Sequence, residues 1–330
     1  MKINHQTLLP TIMLFRVVYF SLLASSVSMN YILPAAYSQN KVVSSFQAEV
    51  KALDDISIRK VKVGDIDIAY KQLGNSTEKK PIVLINGLST TMNMWSPTLL
   101  KELSNRTVII FDNRGIGEST AGTKGFSISQ FANDTVGLLD ALKIEKADVL
   151  GSSMGSFIAQ ELALKNPNRV NSLILSGSSC GGKVAIPPSP QVIQAVAAIT
   201  DTASRPTQEE IDRITSTLFP SDWFKANPNY HNYVPFPKEP VSPQIIKRQQ
   251  EATINWFSTG TCNALSNITQ PTLLIVGTDD MWTPAANSLT IAQKIPGAWL
   301  VQIRDAGHGL MYQFPDKFSK VVSTFLHTLD

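Results

Sequence analysis

Ser153 stands at the centre of Gly151-Ser152-Ser153-Met154-Gly155, after the apolar pair Val149-Leu150 and before an Ala-rich run that reaches Leu164 without a proline. That is the pattern of a strand, a sharp turn and a helix, with a serine at the apex. Glycine two positions to either side removes the Cβ atoms that would clash where the turn is tightest. A hydroxyl at such an apex can attack a carbonyl carbon, but only as it loses its proton, so it needs a base. His308, set between Gly307 and Gly309, has the right type and a loop position from which to reach it. An acid must then hold the imidazole in one tautomer and stabilise its cation. The stretch Gly277-Thr278-Asp279-Asp280-Met281-Trp282-Thr283-Pro284 supplies it, with Asp280 the first choice and Asp279 the alternative. A tetrahedral oxyanion also needs preorganised backbone donors. The amide of Met154, directly after the serine, and that of Leu88, directly after Asn86-Gly87, are placed to serve.

The elements that must carry these residues follow from hydrophobic patterning. Residues Ile56 to Val63 and Ile66 to Tyr70, joined at Gly64-Asp65, read as an antiparallel hairpin. Continuous apolar runs at Pro81–Ile85, Thr107–Phe111, Ala147–Leu150, Val170–Ser176, Pro271–Val276 and Ala298–Ile303 read as strands buried on both faces. Helical stretches at Trp95–Leu103, Ser127–Leu142, Met154–Asn166, Pro284–Ile295 and Phe314–Leu329 alternate with them. Strands alternating with helices predict a doubly wound, mostly parallel eight-stranded sheet. Ligands of such sheets bind outside the carboxyl ends of the strands. Leu88, Ser153, Asp280 and His308 all follow strand ends. Between residues 183 and 268 the alternation breaks into a proline-rich segment with helical stretches at Pro190–Ile199, Thr207–Leu218 and Pro243–Phe257. The strand pattern resumes afterwards, so this is a helical lid inserted into one domain spanning residues 56–330.

Composition narrows the partners. Of 330 residues, 43% are hydrophobic and 17% charged, which is globular, not disordered. The net charge is +3 without a basic cluster, and two of those charges, Lys2 and Arg16, lie in the first 38 residues. Nucleic acid is therefore not an expected partner. Residues 1–38 carry a long apolar stretch, and Ala35-Ala36-Tyr37-Ser38 offers small residues for cleavage. A secretory signal peptide is expected. The rival is an uncleaved anchor, since Val17 to Ser38 is uncharged and long enough to span about 30 Å. Either places the folded part outside the cytoplasm, with membrane contact only through that anchor. Residues 39–55 are polar and patternless and read as a linker. Cys180 and Cys262, the only cysteines, lie at opposite roots of the lid insertion. An extracytoplasmic location permits a disulfide between them, and two independent buried thiols are the alternative.

Taken together, the motifs resemble those of the α/β-hydrolase superfamily, in its single-domain, lidded esterase and peroxidase-like form, from about Ile56 to Leu329. Gly151 to Gly155 is similar to the nucleophile elbow, Gly277-x-x-Asp280-x-x-x-Pro284 to the acid loop and Gly307-His308-Gly309 to the histidine loop. The resemblance assigns the acid to Asp280 over Asp279. Asp112-x-Arg114-Gly115-x-Gly117-x-Ser119 is similar to a family loop of structural importance, in which Arg114 braces its own loop. Many relatives carry His-Gly where this chain has Asn86-Gly87, which changes how the oxyanion loop is braced. The resemblance implies a serine hydrolase acting on a small-molecule acyl substrate, a carboxylic ester by default, without a metal or organic cofactor; a cofactor-free perhydrolase, a peptidase or a C–C bond hydrolase on the same triad is the alternative, and a non-catalytic binding protein on the same fold the second. Trp282, two residues past Asp280, is the tryptophan expected to line the substrate site.

Overall fold

The computed structural model describes residues 46–330 apart from residues 75, 77, 201–206, 233 and 236–240. Residues 1–38, expected to be a signal peptide or anchor, lie outside the described residues. Among the described residues no helix is long and apolar enough to cross a membrane. The expected linker over 39–55 needs correction, because residues 46–54 form helix α1. Leu53 gives the physical reason. Its side chain is buried in the core, and its carbonyl accepts a 2.7 Å hydrogen bond from the Lys71 ammonium. Phe46, Val50 and Leu53 stand at i, i+4 and i+7, a helical spacing that is short and interrupted by polar residues.

The strands are β1 (Arg59–Val63), β2 (Ile66–Leu73), β3 (Ile82–Ile85), β4 (Val108–Phe111), β5 (Ala147–Ser152), β6 (Val170–Ser176), β7 (Thr272–Gly277) and β8 (Trp299–Ile303). They form one sheet in the order β1-β2-β4-β3-β5-β6-β7-β8. β2 pairs antiparallel with β1 and β4, and every other pairing is parallel. Successive side chains of a strand point to opposite faces. In β3, Val83 and Ile85 enter one apolar layer while Ile82 and Leu84 enter the other. This is why these strands read as unbroken apolar runs.

Helices α3 (Ile128–Ala141), α4 (Met154–Lys165) and α9 (Ala285–Lys294) cover the first face, burying Phe131, Phe157, Ile158, Leu162 and Ile291. Helices α2 (Pro97–Glu102) and α11 (Pro315–His327) cover the second, with Leu99, Phe318 and Val322 in its layer. A four-residue helix α10 (Leu310–Gln313) precedes α11.

Between β6 and β7 the chain leaves the sheet for the lid helices α5 (Pro190–Thr200), α6 (Gln208–Ser216), α7 (Ser221–Ala226) and α8 (Pro243–Thr259). Helix α7 has no counterpart in the sequence-level expectation. Its six residues are too short for an apolar period to show. The lid is fastened to the sheet layer at its base. Trp256 of α8 stacks on Phe157 of α4 at 4.6 Å, and its indole N–H donates to Glu161. Cys180 and Cys262 are joined as a disulfide with their Cα atoms 4.9 Å apart. Beside it, Thr261 N–H donates to the Cys180 carbonyl at 2.7 Å.

Candidate active site

Ser153 sits between the end of β5 and the start of α4 with φ 54° and ψ −123°, a positive-φ conformation that side chains disfavour. Such strain costs about 1–3 kcal/mol and persists only when the surroundings enforce it. Here they do. A Cβ on Gly151 would run into the backbone of Gly155, and one on Gly155 would run into the Ile85 carbonyl. The Ser153 N–H donates to the Ser176 carbonyl at 2.9 Å, and the Ser153 carbonyl accepts from Ser156 N–H at 2.8 Å. The tight approach of α4 to β3 is thus what the glycine spacing serves.

Two strands further on, the loop after β7 carries Asp280 and the loop after β8 carries His308. His308 Nδ1 lies 2.8 Å from Asp280 Oδ2 and 3.0 Å from Oδ1. The carboxylate also accepts from the backbone N–H groups of Trp282 and Thr283 and from the Thr283 hydroxyl, at 2.8–2.9 Å. Asp280 thus turns the chain into Pro284 and α9 as a cap would, while its other edge holds the imidazole. Its side chain is 0% exposed and that of His308 is 9% exposed. With Nδ1 facing a carboxylate, the proton is assigned to Nδ1, which leaves Nε2 as the acceptor. Asp279 instead faces solvent, and its N–H donates to the Ala306 carbonyl. The structure therefore pairs the imidazole with Asp280.

Gly177, directly after β6, places the imidazole next to the elbow. A Cβ there would lie 2.9 Å from His308 Cε1 and 3.0 Å from Nδ1. Its neighbour Ser176 pairs with Ser152 in the sheet and holds the Ser153 amide. The ring of Trp282 stacks on the imidazole, with centroids 5.6 Å apart and planes at 16°. Sequence reasoning missed Gly177 and Thr283. Each had a faint signal: a glycine immediately after a strand, and a threonine three residues after an aspartate before a helix.

The Asn86-Gly87-Leu88 loop follows β3 and meets the elbow from the other side. A Cβ on Gly87 would lie 3.1 Å from that of Ser153. The loop is braced without a histidine. Asn113 donates to the Asn86 carbonyl at 3.1 Å, the Asn86 amide reaches the Phe111 carbonyl at 3.4 Å, and Thr90 Oγ1 donates to the Gly87 carbonyl. Asp112 supports the next turn by accepting from Met92 N–H at 2.7 Å and Glu118 N–H at 2.9 Å. Burial pushes the Asp112 carboxyl above its ordinary range despite those two donors. Arg114 points away from the site. Its guanidinium is fully buried between Asp134 and Asp65, so it braces its loop.

The lid reaches this site at two places. Thr217 Oγ1 accepts from the Trp282 indole at 3.0 Å, and the Leu218 carbonyl accepts from Gly309 N–H at 2.7 Å. On the far side, Gln249 Oε1 of α8 accepts from Ser89 N–H at 2.9 Å. Three other tryptophans serve packing. Trp95 is in the core, Trp223 stacks on Phe219, and Trp256 fastens the lid base.

Comparison with known proteins agrees with this fold. A family model described as alpha/beta hydrolase fold matches residues 80–199. A protein of Caulobacter sp. (strain K31), provisionally named the carbamate hydrolase RutD, is 27% identical over 276 residues, covering 80% of this chain and 97% of its own length. The structure of the enol-lactonase from Burkholderia xenovorans LB400 matches with a TM-score of 0.69 and 27% identity, covering 82% of this chain and 100% of that one. A hydrolase from Pseudomonas aeruginosa PA01 matches with a TM-score of 0.65 and 28% identity, covering 82% of this chain and 98% of its own. With its sheet order and these likenesses over four-fifths of its length, the chain has the α/β-hydrolase fold and is similar to members of that superfamily.

Proposed function

We propose that the protein is a serine hydrolase that cleaves a carboxylic ester or a related small acyl substrate through an acyl-enzyme. The observation that carries this reading is the Asp280–His308 pair, held at 2.8 Å over the strand end next to Ser153. His308 Nε2 takes the Ser153 proton as Oγ attacks the carbonyl carbon. Asp280 keeps the imidazole in the required tautomer and stabilises the cation that forms. The oxyanion is met by the Leu88 and Met154 amides. In support, the Leu88 loop packs on Ser153, and a residue at the first position of a helix has no intrahelical partner for its N–H. His308 then protonates the leaving group and the C–O bond breaks; water deprotonated by the same nitrogen attacks the acyl-serine, the bond to Ser153 Oγ breaks as His308 returns the proton to it, and the acid is released. Trp282 shapes the wall beside the imidazole.

Wild-type protein should be labelled by a fluorophosphonate probe, and Ser153→Ala should not be. Turnover of esters of graded acyl length should fall by a factor of about 10⁴ or more in that variant. Undiminished turnover would move the nucleophile elsewhere, and a screen that includes amides and lactones places the leaving group. The same reading has the folded part outside the cytoplasm, supported by the apolar N-terminal sequence and by a disulfide that suits an oxidising compartment. N-terminal sequencing of the mature protein checks it. A membrane-bound product beginning at Met1 would count against cleavage.

A further inference from the structure

We propose that Gln249 on lid helix α8 is a specificity-determining residue. Its side-chain oxygen is pinned to the oxyanion loop, and its amino group is offered to an acceptor oxygen on the substrate other than the scissile carbonyl. Resting on the serine-hydrolase reading for where substrate lies, this names a substrate class: acyl compounds carrying a second oxygen acceptor, such as a ketone, close to the reacting carbonyl.

Gln249 is 0% exposed, and its two ends have different fates. Oε1 accepts from Ser89 N–H at 2.9 Å. A backbone N–H can only donate, so this contact settles which end of the amide is oxygen. Nε2, carrying two N–H donors, is buried and finds no partner among the described residues. Buried side-chain donors are almost always met, and an unmet one asks for an explanation. A loop brace alone would need only the oxygen. Location supplies the rest. Ser89 has φ 55° and directly follows Leu88, and Gly87 of the same loop abuts Ser153. The unmet donor is thus fixed on the lid side of the loop that receives the oxyanion, 160 residues along the chain from its anchor. Hydrogen-bonding sites discriminate strongly against substrates that lack the matching group, because the site's own polar atom is then left unpaired.

The test uses matched methyl esters. Methyl 2-oxo-, 3-oxo- and 4-oxopentanoate are each compared with the isostere in which the ketone oxygen is replaced by a methyl group. The quantity read is the ketone-to-isostere ratio of kcat/KM in each variant relative to wild type, so that intrinsic reactivity cancels. In Gln249→Met both ends of the amide are lost. In Gln249→Glu an oxygen remains for Ser89 but the donor is gone. For at least one chain position both variants should lower the ratio by about three- to tenfold. Equal losses on ketone and isostere at every position, no change, or a change in the Met variant alone would overturn the proposal and leave Gln249 as a brace. Calorimetric titration of Ser153→Ala, with and without Gln249→Glu, reads the same preference as binding of these esters. Should the wild type resist fluorophosphonate and turn over no ester, the hydrolase reading fails while the binding comparison still decides on Gln249.

Discussion

The imidazole of His308 is positioned by what is missing beneath it. Gly177 has φ 55°, and any Cβ there would sit within 3.0 Å of the ring at Cε1 and Nδ1. Gly177→Ala therefore strains its own backbone and pushes the imidazole off its seat, while leaving Ser153, Asp280 and the Asn86–Leu88 loop chemically intact. Displacing a reacting group by about 1 Å can cost 100-fold. The variant should lose about 10- to 100-fold in kcat on an ester with little change in KM, and fluorophosphonate labelling should slow in parallel. Wild-type kcat in a folded variant would mean that Gly177 does not set the base. Ser153, Asp280 and His308 stood out in the sequence because each lies in a short local pattern of glycines around a polar residue. Gly177 and Gln249 did not. Their contacts are with His308 and Ser89, which lie 131 and 160 positions away; a glycine directly after a strand is a faint mark at Gly177, and nothing local marks Gln249.

Among elements, the lid is the part that the site depends on without containing. The proline-rich break between the sixth and seventh strands announced an insertion, but not how it docks. Docking is made by Thr217 and Leu218 on the acid and histidine loops and by α8 on the oxyanion loop and α4. Apart from the Trp256–Phe157 stack, these contacts are hydrogen bonds that each involve loop backbone or a loop side chain, where hydrophobic periodicity has no voice. The base is closed by Cys180–Cys262, whose sequence separation is 82 residues. Closing a loop of that length in the unfolded chain removes entropy worth about 4.5 kcal/mol in the chain-entropy account. The double variant Cys180→Ser/Cys262→Ser should therefore lose several kcal/mol in urea unfolding, and wild type under reductant should follow it. Equal midpoints with and without the bridge would show that Trp256 and Thr261 suffice to hold the lid base.

Over the whole molecule, the alternation of strands and helices foretold a mostly parallel sheet, but not that β4 would lie between β2 and β3. That order brings the β1–β2 turn against the loop after β4, where a buried charge network joins them. Arg114 binds Asp134 of α3 and Asp65 of the turn, with contacts of 2.7–3.0 Å. The hydrogen bond from Arg114, with backbone donors at Lys124 and Thr123, holds the Asp65 carboxyl far below the usual carboxylate range. A depressed folded-state value means that the unfolded chain takes up this proton first as pH falls. The stabilisation is thus fully present above about pH 5 and drains away through the ordinary carboxylate range and below it. Asp112 and Asp148 are shifted the other way, foremost by burial. They protonate first in the folded state and lose their contribution as pH rises. Both groups remain in an Asp65→Asn variant, so they cancel in its comparison with wild type. Urea unfolding of the pair at pH 7, 5 and 3 should show the variant less stable at pH 7 and nearly as much so at pH 5, with the gap closing towards pH 3. A gap that stays constant across that range would mean that the turn is held by shape and neutral hydrogen bonds, and that the hairpin edge owes nothing to the charge on Asp65.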